Sequence, residues 1–240
     1  MSLRIGILAL QGDFAAHART LGGCGVETLE VRRVAQLEGL DGLIMPGGES
    51  TTLLNLMGDE PWFEALERFH AGGGALFGTC AGAILLSGEV VDRDQRSLGL
   101  IETSIERNAY GRQIDSFEAG LECPQMGADR SNPLKVVFIR APRFRRVGAR
   151  VDLLAHWEDD PVLVRQGRVL AATFHPEITG DDRLHRFFVE QVVAEAGGRL
   201  PQRTEVRVPI TSANSPTQTE AHATAVEPSR STPQGENAPC

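Results

Sequence analysis

A doubly wound α/β fold, with a single, mostly parallel sheet and helices on both faces, is predicted by three features of the sequence. Short apolar runs alternate with amphipathic stretches at helical spacing. The runs are apolar nearly throughout, as in strands covered on both sides. Glycine-containing turns follow several of them, where a strand would pass into a helix. Taken in order, Ile5–Leu10 reads as the first strand and Phe14–Gly22 as the helix after it. Gly42–Met45 is a strand leading to helices over Thr51–Leu56 and Trp62–Ala71. Ala75–Phe77 is a strand whose following helix spans Ala81–Ser87. Val136–Ile139 and Leu170–Phe174 complete the strands, and the helix Leu184–Ala196 closes the domain. The stretch Glu89–Arg130 is less periodic and is expected to hold antiparallel excursions. In folds of this class ligands bind beyond the carboxyl ends of the strands, which directs attention to the residues just after each one.

Composition narrows the function classes. With 41% hydrophobic and 23% charged residues, the 240-residue chain can bury a sizeable core, and no apolar run approaches the ~18 residues of a membrane span. The net charge of −8, from 24 basic and 32 acidic residues, disfavours nucleic acid or an anionic membrane as a partner. Lys135 is the only lysine, so the positive charge is almost all arginine, read here as codon bias and not as a functional signal. The four cysteines, Cys24, Cys80, Cys123 and Cys240, form no C-x-x-C pair, which argues against a zinc site or a disulfide framework. The opening MSLRIGILALQGD passes straight into a strand without a signal-like region, and a cytoplasmic location is expected. Composition changes near Leu200: from Pro201 onward there are six of the 13 prolines and no Phe, Trp or Tyr. A domain over 1–198 and a disordered tail over 199–240 are expected.

Three segments carry chemistry. In GGGALFGTCAGAILL a buried strand runs into Gly78-Thr79-Cys80-Ala81-Gly82 and then an apolar helix start, the cysteine form of the G-x-S-x-G nucleophile elbow. Such a turn strains the nucleophile's backbone and tolerates only small neighbours, and the helix start directs N–H groups at the sulfur. A lone cysteine among small residues is more often structural, but the strand, the glycines and the helix start together favour the nucleophile. At the end of a later strand, Thr173-Phe174-His175-Pro176-Glu177 supplies a base and, two residues on, a carboxylate able to fix its tautomer. The other histidines, His17, His70, His156, His185 and His222, read as surface or packed imidazoles. The third segment, Met45-Pro46-Gly47-Gly48-Glu49-Ser50-Thr51, lacks the G-K-[ST] ending of a phosphate loop, and Glu49 would repel phosphate. A zwitterion suits it better: Gly47 or Gly48 can complete an oxyanion hole while Glu49 faces an ammonium group, with Ser50 or Thr51 capping the helix.

These residues resemble the triad, or class I, glutamine amidotransferases, in which a cysteine attacks the side-chain amide of glutamine and releases ammonia. LALQGD (8–13), PGGEST (46–51), FGTCAG (77–82), ERNAYGRQIDSFE (106–118), FIRAP (138–142) and FHPE (174–177) are similar, in this order, to the glutaminase subunits of pyridoxal 5'-phosphate synthases, from about Leu3 to about Gly198. The resemblance implies Cys80 as nucleophile, His175 as general base and acid, and Glu177 as its orienter. It implies glutamine contacts from Gly48, Glu49, Ser50, Arg107, Ile139 and Arg140, and an oxyanion hole from backbone groups at Gly47 and Ala81. The Arg107 guanidinium would offer a fork to the α-carboxylate. No metal or cofactor is implied for the glutaminase step. The implied partner is a separate synthase subunit that combines the ammonia with ribose 5-phosphate and glyceraldehyde 3-phosphate. The segment around Gln11 and Gly12 would share in that contact and in control of the oxyanion hole. The alternatives are a glutaminase serving another acceptor, such as imidazole glycerol phosphate synthesis, or a silent binding module, against which the intact triad argues. The long tail departs from the family pattern.

Overall fold

The apolar run at the start of the chain forms β1 (Arg4–Leu8), around which the rest is laid in the computed structural model, which describes residues 2–109 and 116–195. Next come α1 (Phe14–Gly22), β2 (Glu27–Val31), β3 (Gly42–Met45), α2 (Ser50–Met57), α3 (Trp62–Ala71), β4 (Ala75–Thr79) and α4 (Ala81–Leu86). They are followed by β5 (Ser87–Val90), β6 (Ile101–Glu106), β7 (Ser116–Leu121), β8 (Leu134–Ile139), β9 (Arg143–Val147), β10 (Asp152–Trp157), β11 (Asp160–Gln166), β12 (Val169–Ala172) and α5 (Arg183–Glu195). The expected tail over 199–240, and residues 110–115 of the ERNAYGRQIDSFE motif, lie outside the described residues. Among the described residues no helix is long and apolar enough to cross a membrane.

Seven strands form the main sheet in the order β10-β11-β12-β4-β3-β1-β2. The pairs among β2, β1, β3, β4 and β12 are all parallel, and each needs a crossover long enough to hold a helix or a further layer. At the other edge β10, β11 and β12 run antiparallel through two tight connections, one with Glu158 at φ 53° and one with Gly167 at φ 56°. Successive side chains point to opposite faces, so each central strand feeds two cores. Ile44, Phe77 and Leu170 pack with Leu21 of α1 and with Leu184 and Phe188 of α5. Leu43, Leu76 and Val169 pack with Leu53 of α2, Trp62 and Leu66 of α3 and Leu85 of α4. Burial on both sides explains why these strands are apolar at every position. At the far edge β2 (ETLEV) buries only Val31, so it has no apolar run to announce it.

One expected strand sits elsewhere. Val136–Ile139 falls within β8, which pairs antiparallel with β7 in a separate two-stranded sheet. This ribbon covers the α1 and α5 side of the main sheet, with Val136 and Phe138 in that core and the Phe117 and Phe138 rings stacked at 4.7 Å. A third sheet, β5-β6-β9, lies in the other core through Val90, Ile101, Ile105 and Phe144. The antiparallel excursions expected after Glu89 are therefore real, and they recruit strands from beyond Arg130. The β7-β8 ribbon also reaches the site, since the His175 N–H donates to the Val137 carbonyl at 2.7 Å.

Candidate active site

Three adjacent parallel strands, β3, β4 and β12, deliver the Gly47 loop, Cys80 and His175 from their carboxyl ends. The chain order reverses between β1 and β3, the switch point at which this class of sheet opens a crevice. Cys80 joins β4 to α4 with φ 48° and ψ −102°, a left-handed conformation that L side chains rarely adopt. Its own N–H is held by the Ala172 carbonyl of β12 at 2.9 Å. The two flanking glycines are forced by contact: a Cβ on Gly78 would lie 2.4 Å from the Gly82 carbonyl carbon, and one on Gly82 would lie 2.0 Å from the Met45 carbonyl oxygen. The elbow thus packs backbone directly on backbone, which only glycine permits.

The His175 imidazole lies against Gly47, where a Cβ would come within 2.3 Å of Cε1. Its Nδ1 is 2.8 Å from Glu177 Oε1, and both His175 and Cys80 line one cleft. Burial works to lower the His175 pKa, but the hydrogen bonds and charges of Cys80 and Glu177 outweigh it and raise the value to about 10. The ring is therefore an imidazolium at neutral pH. Cys80, His175 and Glu177 are each at most 6% exposed.

A cleft of about 170 Å³ opens in front of Cys80 and His175. The loop of Gly47, Gly48, Glu49 and Ser50 lines it together with Arg107, Ile139 and Arg140. Ala81 is fully buried behind the cysteine and Glu177 behind the histidine, so neither lines the cleft. The other residues expected at the site all line this one cleft. One local expectation changes: the cap of α2 is Glu49, not Ser50 or Thr51. Its carboxylate accepts from the Thr52 N–H at 2.6 Å and from the Thr51 and Thr52 hydroxyls. Partial burial would raise this carboxyl, but these hydrogen bonds hold it down at about 2. The same carboxylate receives Arg107 Nη2 at 3.1 Å, and Arg107 Nη1 donates to Gln95 Oε1 at 2.8 Å.

Gln95 escaped the sequence reading because it sits in an aperiodic stretch with no motif around it, yet it also accepts from the Ser50 hydroxyl at 3.1 Å. Asp13 and Asn108 line the cleft itself and were also not expected there. Asp13, His175 and Glu177 place one ligand atom each within 4.8 Å of one another, but His175 Nδ1 is engaged by Glu177. Gln11 lies beside Gly48, accepting from the Glu49 N–H at 3.2 Å.

Comparison with known proteins adds the family. The SNO glutamine amidotransferase family matches residues 7–194. The chain belongs to this family. A Thermus thermophilus relative, named pyridoxal 5'-phosphate synthase subunit PdxT, is 53% identical over 188 residues, covering 78% of this chain and 96% of its own length. A protein of the same name from Pelotomaculum thermopropionicum is 48% identical over 191 residues, covering 80% and 96%. A solved structure described as a glutamine amidotransferase superposes on this SNO-family chain with a TM-score of 0.73 at 50% identity, covering 78% of it and 98% of the other. The PurLQS structure from Thermotoga maritima shares the fold alone, with a TM-score of 0.60 at 15% identity, covering 79% and 99%.

Proposed function

We propose that the chain is the glutaminase subunit of a pyridoxal 5'-phosphate synthase, hydrolysing L-glutamine to L-glutamate and ammonia in the cytoplasm and passing the ammonia to a separate synthase subunit. The observation that carries this reading is the strained Cys80 elbow facing an imidazole oriented by Glu177, in a chain about half identical to relatives of that name.

The chemistry follows from the residues. Cys80 Sγ attacks the side-chain amide carbon, and backbone N–H groups at Gly47 and Ala81 take the developing oxyanion. Collapse breaks the carbon–nitrogen bond, His175 gives its proton to the departing nitrogen, and ammonia leaves a γ-glutamyl thioester on Cys80. The neutral His175 then takes a proton from water, whose oxygen attacks the thioester, and glutamate departs as the sulfur recovers its electron pair. Glu177 keeps the imidazole in the tautomer that points Nε2 at the reaction throughout. Arg107 and Arg140 hold the α-carboxylate and Glu49 the α-ammonium group, so that the side chain reaches Cys80. No step requires a metal or cofactor.

Ammonia release should be measured for the chain alone and after addition of the synthase subunit. Stimulation accompanied by pyridoxal 5'-phosphate formation from glutamine, ribose 5-phosphate and glyceraldehyde 3-phosphate is expected. Absence of ammonia in the presence of the synthase would overturn the reading.

A further inference from the structure

Behind Glu177 lies a pair of imidazoles that the reaction above does not use. His17 from α1 and His185 from α5 are both fully buried, and each ring meets the Phe77 ring edge to face. His17 Nδ1 is 2.8 Å from His185 Nε2. His17 Nε2 is 3.4 Å from Glu177 Oε2 and 3.3 Å from the hydroxyl of Thr79, the residue just before the nucleophile. Since Glu177 Oε1 takes His175 Nδ1, four side chains form a line from the cleft into the core: His175, Glu177, His17, His185.

Counting protons fixes the direction of this line. Desolvation by burial holds His17 well below its ordinary value, with the charges of His185 and His175 adding to the effect, and it lowers His185 to about 4. Each ring is therefore neutral near pH 7, with one N–H and one bare nitrogen. In one arrangement His17 carries its proton on Nε2, facing the carboxylate, and its Nδ1 accepts from His185 Nε2. This leaves a bare lone pair at His185 Nδ1, and that atom is buried without a hydrogen-bond partner among the described residues. The opposite arrangement strands an N–H at that buried position. It also sets the His17 Nε2 lone pair 3.4 Å from Glu177 Oε2, a carboxylate oxygen with no aligned hydrogen-bond partner among the described residues, and leaves only the Thr79 hydroxyl at 3.3 Å to donate to that nitrogen. A stranded donor and a repulsion between lone pairs are the costlier outcome.

We propose that His17 is a positioning residue of the triad, turning Nε2–H toward Glu177 Oε2 at 3.4 Å and accepting at Nδ1 from His185. The contact then addresses the second oxygen of the carboxylate, so that Glu177 is held from rotating away from His175. The same ring touches Thr79, which ties the orienting carboxylate to the strand that presents Cys80. This inference rests on the glutaminase reading for its catalytic consequence but not for its proton assignment. The titratable groups facing His17 are His185 from α5, with Asp182 acting on that ring, and His175 and Glu177 after β12.

The test uses the full chain in three measurements. Nitrogen NMR of ¹⁵N-histidine-labelled protein is expected to show His17 as the Nε2–H tautomer near neutral pH; the Nδ1–H tautomer or an imidazolium would overturn the proposal. With the synthase present, His17→Leu is expected to lower kcat by roughly 10- to 100-fold with KM nearly unchanged, while His17→Gln, whose amide N–H can reach the place of Nε2, recovers most of it. Alkylation of Cys80 by iodoacetamide needs no glutamine turnover, so it reads the site even if the glutaminase reading fails. Its pH profile is expected to move to lower pH in His17→Leu and back toward wild type in His17→Gln. Equal losses in both variants with an unmoved alkylation profile would reduce His17 to a packing residue. If His17→Leu does not fold, the tautomer of the wild-type ring decides.

Discussion

The two walls of the cleft are built differently. On the wall that carries the triad, each reactive side chain is buried and its place is set by backbone packing: Gly78 and Gly82 lock the elbow, and Gly47 lies flat against the His175 ring. On the recognition wall, Glu49 and the exposed Arg140 keep contact with solvent, and Asn108 and Arg140 have φ values of 47° and 42°. Arg107 and Glu49, the residues expected to take the two charges of the amino acid, are already paired with each other. The proposed triad is therefore organised without substrate, which is where electrostatic preorganisation has its effect. Under the proposed contacts, recognition instead requires an exchange, in which the zwitterion of glutamine replaces the Arg107–Glu49 ion pair.

The contrast can be tested from its strongest consequence downward. Cys80→Ala, assayed by ammonia release with the synthase present, is expected to lose turnover by on the order of ten-thousand-fold or more, with folding retained. Glu177→Gln is expected to lower kcat by about a hundredfold or more and to bring the His175 pKa down from about 10. The sign follows from the raised value. Stability from the His175 cation is complete below its ordinary 6.5 and is lost as pH rises through about 10, so in Glu177→Gln that loss is expected at lower pH in melting curves taken across the alkaline range. On the other wall Arg107→Ala is expected to raise KM by roughly tenfold or more while kcat changes little, because the guanidinium binds the amino acid without touching the reacting bond. A comparable fall in kcat would show that the two walls are coupled. The smallest effect is expected at Glu49, whose folded pKa is depressed to about 2 from an ordinary 4.5. Its capping contribution is present above about 4.5 and lost as pH falls through about 2. The melting-temperature gap between wild type and Glu49→Gln should therefore close over that window. Because this carboxylate is 39% exposed, solvent screening keeps the gap small.

The same division governs how far the sequence could be read. The triad wall was legible because its constraints are local: a strand, two glycines and a helix start lie within a few residues of Cys80, and Glu177 lies two residues from His175. The helices Phe14–Gly22 and Trp62–Ala71 and the strand Gly42–Met45 were likewise placed to the residue, since apolar periodicity is a local signal. What escaped depends on distant parts of the chain. Val136–Ile139 has the apolar run of a central strand, but the partner that takes it out of the main sheet is Ser116–Leu121. Gln95 comes to brace two cleft residues only when Arg107 and Ser50 are folded against it. His17 was expected as a packed or surface imidazole, and it is packed. Its alignment on the buried face of α1 with Leu21 was visible as a polar residue on an apolar stripe. Its meeting with Glu177, 160 positions away, was not.

The central claim is that Cys80 carries the glutamyl group. The most direct measurement is mass analysis of the chain, acid-quenched during turnover of glutamine with the synthase present. A γ-glutamyl adduct on the peptide containing Cys80, absent in Cys80→Ala together with ammonia release, is the predicted result. Undiminished ammonia release by Cys80→Ala, or an adduct on another residue, would contradict it.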